Sequence, residues 1–86
     1  MKGRDLLLRL RRGEQANVAF GDFLRLVNEF GFRLERTTGS HRTLRHRAYP
    51  IRLNLQPVGG EAKPYQIRQF LRLVELYGLE WEESED

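Results

Sequence analysis

Phe32-Arg33-Leu34-Glu35-Arg36-Thr37-Thr38-Gly39-Ser40-His41-Arg42-Thr43-Leu44-Arg45 is the stretch on which the fold turns. Phe32 and Leu34 alternate with Arg33 and Glu35, the period-two pattern of a strand with one apolar and one charged face. Gly39 and Ser40 break the strand. Glycine tolerates positive φ and serine can bond its own backbone, so the pair favours a tight turn. Thr43-Leu44-Arg45 reads as a second strand, and the turn delivers His41 to its start. Histidine is the side chain whose unperturbed pKa lies near neutrality, so it can give or take a proton at working pH. A positioned histidine among arginines is what phosphodiester cleavage requires. A histidine in a loop is more often a surface residue, so the tripeptide alone names a candidate and no function.

Outward from this hairpin the chain divides into helix, helix, three strands and helix. Ile51, Leu53 and Leu55 alternate with Arg52, Asn54 and Gln56 in a third strand, entered through a turn at Tyr49-Pro50 because proline cannot donate to a ladder. Upstream, Phe20, Phe23, Leu24, Val27 and Phe30 recur at the spacing of one helical face, with Asn17 expected as the cap and Gly31 closing the helix. Before that, Asp5 to Arg12 carries Leu6, Leu7, Leu8 and Leu10 and stops at Gly13. Downstream, a loop from Pro57 to Lys63 leads to Pro64, which suits the first position of a helix. Ile67, Phe70, Leu71, Val74 and Tyr77 form its stripe and Gly78 ends it. The expected class is α+β with a three-stranded antiparallel sheet.

Eighty-six residues make one domain with a small core. Cysteine is absent, so disulfides, thiol nucleophiles and thiolate metal sites are excluded. No apolar run approaches the ~20 residues of a membrane span. Met1-Lys2-Gly3-Arg4 lacks the apolar core of a signal peptide, so the expected compartment is the cytoplasm. The net charge of +3 conceals an asymmetry, because residues 80–86 carry five acids and no base. Residues 1–79 hold fifteen bases against seven acids, a charge of +8. Arginine outnumbers lysine thirteen to two, and its planar fork matches phosphate oxygens. Arg33, Arg36, Arg42, Arg45, Arg47 and Arg52 fall close together with Glu35 as the one acid among them. This favours an anionic partner, most simply a nucleic acid.

Strand parity places the chemistry. If Phe32, Leu34, Leu44, Ile51, Leu53 and Leu55 face the helices, the other sheet face shows Arg33, Glu35, Arg52, Asn54 and Gln56. His41 shares the parity of Thr43 and Arg45 and falls on that open, basic face. His46 shares the parity of Leu44 and points to the helix side or lies in the turn. The two histidines therefore do not form an acid–base pair, and no ligand set for a metal is present.

Gly31-Phe32, Arg36-Thr37-Thr38-Gly39-Ser40-His41, Leu53-Asn54-Leu55-Gln56-Pro57 and Lys63-Pro64-Tyr65-Gln66, in this order, resemble the HicA (YcfA-like) toxins over about residues 4–79. The resemblance extends to the Ala16-Asn17-Val18 entry of one branch of that family. It implies the messenger-RNA-cleaving partner of a type II toxin–antitoxin pair and a fold like the double-stranded-RNA-binding domain, α-β-β-β-α, with an additional N-terminal helix. It further implies His41 as the single catalytic residue, no metal or other cofactor, and inhibition by a cognate HicB-like antitoxin, with oligomeric assembly only alongside that antitoxin. Many members carry a second histidine where this chain has Arg42. Residues 80–86 lie outside the common core, leaving 1–79 as the toxin domain. They are expected to form a solvated acidic tail, with Trp81 beside Leu79 against the last helix.

The implied reaction is metal-independent RNA cleavage, with His41 as general base on a ribose 2′-hydroxyl or general acid on the leaving 5′-oxygen. Parity suggests Arg45 and Arg52 as stabilisers of the phosphorane-like charge. Arg36, Arg42 and Lys63 complete the expected RNA contacts, and Gly39 and Ser40 are the structural turn. Lys63, Tyr65 and water are all candidates for the acid–base complement. A non-catalytic RNA-binding module with the same fold is the alternative function, and a protein-docking sheet face is a third.

Overall fold

A helix that must give way at once to a strand needs a residue that accepts positive φ, and Gly31 at φ +97° makes that junction. The position admits no side chain for a second reason: a Cβ there would sit 2.6 Å from Nε2 of His46. The structure, a computed structural model, describes residues 2–84. Its elements are α1 (Gly3–Arg11), α2 (Phe20–Glu29), β1 (Phe32–Thr38), β2 (His41–His46), β3 (Arg52–Leu55) and α3 (Pro64–Tyr77). The fold is α+β, with an antiparallel sheet in the order β1-β2-β3. The order from α2 onward is α-β-β-β-α, and α1 is the added N-terminal helix.

Phe70 of α3 is the centre of the core. Phe23, Phe30 and Phe32 meet its ring edge-on at centroid distances of 5.6, 5.3 and 6.3 Å. Leu44, Leu53 and Leu55 supply the floor from the sheet, and Leu6 and Leu10 close the core from α1. Each such side chain contributes roughly 1.5–3 kcal/mol by leaving water. No helix among the described residues is long and apolar enough to cross a membrane.

Four expectations change on contact with the structure. Asn17 does not cap α2. It sits at φ +58°, and Ala19 occupies the cap position with no side-chain bond. The segment before α2 is instead held by the 58–62 loop, through Ala62 N to Val18 O (2.8 Å) and Phe20 N to Gly60 O (2.9 Å). Second, Leu26 rather than Leu24 is the fully buried partner of Phe23 and Val27, and Leu24 is only half-buried. Third, Leu34 is 58% exposed although it pairs with buried Leu44. β1 is an edge strand, and its register shifts between Leu34 and Arg36, a bulge that turns the outer half of the strand.

Fourth, the acidic segment is anchored over residues 80–84, although Glu80, Glu82, Glu83 and Ser84 stay exposed as expected. Leu79 is buried and Trp81 half-buried against the core. Trp81 also reaches α2, where its Nε1 donates to Glu29 Oε1 at 3.0 Å, beside Gly3 of α1. Ser84 N and Oγ donate to Glu29 Oε2 at 2.9 and 2.6 Å, and Glu82 N donates to Glu29 O at 2.9 Å. Gly3 leaves room for this clasp, since a Cβ there would collide with the Glu29 carboxylate. Residues 85 and 86 of the expected tail lie outside the described residues.

Candidate active site

The hairpin joining β1 to β2 has two turn residues, Gly39 and Ser40, closed by the pair Thr38↔His41. Gly39 has φ +60°, the sign that a two-residue hairpin with glycine in its first central position demands. His41 is thereby fixed as the first residue of β2, exposed, and its ring makes no hydrogen bond among the described residues.

His46 ends the same strand and has the opposite fate. It is buried, edge-on to Phe32 at 5.0 Å. Its Nε2 donates to Phe30 O at 2.8 Å, and its Nδ1 accepts from Ala48 N and Tyr49 N at 3.0 and 3.3 Å. Donor on one nitrogen and acceptor on the other is the neutral imidazole. Both ring nitrogens are consumed in tying α2 to the turn after β2. The two histidines lie on opposite faces, about 17 Å apart along the strand.

The face bearing His41 is basic by construction. Arg33, Arg45 and Arg52 stand opposite one another across the three strands in direct register. Like charges so paired are destabilising, and one carboxylate answers them. Glu35 accepts from Arg52 Nε at 3.0 Å and Nη2 at 3.4 Å. The Arg52 hydrogen bond holds the Glu35 carboxyl below its ordinary value, and Glu35 in turn raises Arg52. Arg33 turns its guanidinium to the carbonyls of Asn28 and Phe32, at 2.7 and 2.9 Å. Arg45 and Arg36 are exposed, and Arg36 faces Thr43 across the bulge. Thr43 Oγ1 donates to Asn54 Oδ1 at 2.9 Å.

Arg42 does not join this face. It has the parity of Leu44, pairs with buried Leu55, and lays its guanidinium 5.2 Å above the Phe20 ring on the helix side. Lys63, at the entry to α3, donates to Gln56 Oε1 at 3.3 Å, and Gln56 Nε2 donates to Ser40 Oγ at 3.1 Å. Among the described residues no three His, Cys, Asp or Glu side chains gather as a metal site. A groove of about 840 Å³ lies elsewhere, between α2, the start of β1 and Glu82–Ser84, at the His46 end of the sheet.

Sequence reasoning gave Glu29 no role and singled out Gln56 and Gln66 only within the segments that carry the family resemblance, without a contact for either. The only signal for Glu29 was its place three residues after Leu26, beside the apolar stripe of α2. For Gln66 the signal was its place in the Lys63-Pro64-Tyr65-Gln66 segment, and it is buried with its amide oxygen accepting from Gln56 N (3.1 Å).

No curated protein and no solved structure is detectably similar to the chain. Residues 20–76 match the family described as the HicA toxin of bacterial toxin–antitoxin systems. That span runs from the first residue of α2 to the last turn of α3, the whole α-β-β-β-α unit with the His41 hairpin at its middle. The chain belongs to the HicA toxin family of bacterial toxin–antitoxin systems.

Proposed function

We propose that the protein is a metal-independent endoribonuclease, the messenger-RNA-cleaving toxin of its pair, with His41 as the catalytic residue. One observation carries the reading. Of two histidines on one strand, His46 spends both ring nitrogens on backbone groups. His41 stands exposed on the arginine face, its ring uncommitted among the described residues. His41 takes the proton of a ribose 2′-hydroxyl, the 2′-oxygen attacks phosphorus, and the P–O5′ bond breaks. The 5′-oxygen leaves with a proton from water or a neighbouring acid. The products are a 2′,3′-cyclic phosphate and a 5′-hydroxyl. Proton transfer of this kind contributes about 10²- to 10⁴-fold.

Arg45 and Arg36 meet the RNA backbone, and Lys63 a phosphate near His41. Arg52 lies on the same face, with its charge answered by Glu35. Contacts of this type position the strand without reading its sequence. The reaction takes place in the cytoplasm, where the messages are. A HicB-like antitoxin restrains the enzyme by covering the open face, and acidic side chains opposite the arginines speed its association.

The test is cleavage of RNA by the purified protein and by His41→Ala. His41 makes no hydrogen bond among the described residues, so the variant keeps the melting temperature of the unmodified protein while cleavage and growth inhibition disappear. Equal cleavage by His41→Ala, in preparations free of contaminating nuclease, ends the proposal. Binding that persists in both proteins with cleavage in neither identifies a non-catalytic RNA-binding module.

A further inference from the structure

We infer that Gln56 is a positioning residue that holds the ammonium of Lys63 beside His41, where the ammonium meets the scissile phosphate. The inference rests on the ribonuclease reading above and names a second cationic group for it.

The register is the first ground. β2 and β3 pair Thr43 with Asn54 and Arg42 with Leu55. One further step sets Gln56 opposite His41, and residues so opposed have Cβ atoms about 4.5–5.5 Å apart. Gln56 also has the parity of Arg52 and Asn54, so its side chain belongs to the open face.

The second ground is how firmly this glutamine is held. An ammonium only donates, so the amide oxygen must be the end facing Lys63. That assignment gives Lys63 Nζ to Gln56 Oε1 at 3.3 Å and leaves Gln56 Nε2 to donate to Ser40 Oγ at 3.1 Å. Ser40 is the residue before His41. The Gln56 backbone N–H is fixed by Gln66 Oε1 at 3.1 Å, and Gln66 is 4% exposed. Gln66 Nε2 donates to Tyr65 Oη at 3.2 Å, and the Tyr65 ring lies 5.9 Å from the Lys63 ammonium. A chain of hydrogen bonds thus runs from a buried amide to the turn that carries the histidine, with one lysine hung upon it.

The third ground is charge. Lysine ordinarily keeps its ammonium in bulk water. Here the ammonium is drawn to a neutral amide, and among the described residues no carboxylate pairs with it. Arg52, by contrast, is neutralised by Glu35. An ammonium has three donors, and Gln56 takes one. The others are available to non-bridging phosphate oxygens, whose negative charge rises as the 2′-oxygen attacks. A fixed cation at that point stabilises the transition state more than the ground state.

Single-turnover cleavage of a synthetic RNA oligonucleotide tests this, with the rate at saturating protein separated from the apparent Kd. Lys63→Ala should lose on the order of 10²-fold in the saturated rate while the Kd changes by less than about threefold, and Lys63→Arg should recover part of the rate. Gln56→Leu should lower the rate in the unmodified background and have no further effect beside Lys63→Ala, because it acts through that lysine. Gln56→Met replaces it if the leucine variant melts early. A Lys63→Ala rate within about twofold of the unmodified protein overturns the inference, as does an equal loss from Gln56→Leu in both backgrounds. If the unmodified protein cleaves and His41→Ala does not, such a result removes this inference alone. If the unmodified protein does not cleave, both readings fall.

Discussion

Replacing Glu29 with alanine should release the C-terminal segment and cost about 2–4 kcal/mol of stability. The magnitude follows from what the carboxylate holds. It accepts from Trp81 Nε1, Ser84 N and Ser84 Oγ, at 3.0, 2.9 and 2.6 Å. Arg25 Nε lies 3.7 Å away. Charge-assisted bonds of this kind are worth roughly 1.5–3 kcal/mol each when their loss strands a buried group. Ser84 is exposed and finds water once freed, and the half-exposed Arg25 is screened, so the total lies well below the simple sum. Trp81 is the chain's single tryptophan, so its fluorescence reports the clasp directly. In urea titrations Glu29→Ala should lower the midpoint, and Trp81 emission should shift to the red before global unfolding.

The pH dependence carries the same signature. Burial alone would raise the Glu29 carboxyl, but hydrogen bonds from Ser84 and Trp81 and the charge of Arg25 outweigh it, and the net shift is downward from 4.5. A lowered folded value means the contribution is fully present above the ordinary value and is lost as pH falls through the folded one. The stability gap between the unmodified protein and Glu29→Gln should therefore stay constant above about pH 4.5 and close below it. The clasp lies at the far end of the sheet from His41, so RNA cleavage by the folded variant, or by a protein lacking residues 82–86, should stay within about twofold. A Glu29→Ala midpoint within experimental error of the unmodified one, with unshifted fluorescence, refutes the reasoning.

His46→Ala should cost about 2–4 kcal/mol, since it strands Phe30 O and two backbone N–H groups and leaves a cavity beside Phe32. Cleavage per folded molecule should survive, and an inactive but fully stable His46→Ala would contradict the division of labour between the histidines. RNA affinity should fall with salt, and Arg45→Ala should reduce the log–log slope by about 0.7, the value for one single-strand phosphate contact. Arg52→Ala should reduce it less, because Glu35 already neutralises that side chain; a larger effect from Arg52 would reverse the assignment. Cleavage should persist in EDTA and give 2′,3′-cyclic phosphate ends, whereas strict divalent dependence with 5′-phosphate products would contradict a histidine-driven transesterification.

Much of this architecture was legible in the chain because it depends on local rules. Gly31 and Gly78 stop helices, Pro64 starts one, and the alternation in 32–36 and 51–56 sorts the sheet faces. What escaped depends on contacts distant in sequence. Asn17 has the composition of a cap, but the 58–62 loop captures Val18 and Phe20 by backbone bonds that no side-chain pattern announces. Leu34 has the correct parity, yet it lies on an uncovered edge beside a bulge. Glu29 reads as one more solvated helix residue until a segment fifty-five positions away folds back on it. Arg42 is different: its parity with Leu44 already placed it on the helix side, and charge composition alone had put it among the RNA contacts.

The strand that carries both histidines separates a structural group, His46, from the one proposed as reactive, His41, without a cleft. A period of two sends residues an odd number apart to opposite faces, so the five-residue offset of His41 and His46 suffices. The helix face supplies backbone donors and acceptors at the end of α2 and in the turn after β2, and these saturate one ring. The open face supplies arginines, one carboxylate and a braced glutamine, and it leaves the other ring without a hydrogen-bond partner among the described residues. An enclosed pocket would demand more core than a chain this short can bury. A flat basic face suits an extended polyanion, which brings its own length and charge to the surface. The same flatness means that restraint must come from outside: no lid in the described residues covers His41, so whatever silences this site has to span the sheet itself. That requirement fits a partner protein far better than a small ligand, which needs a concave site to bury most of its surface.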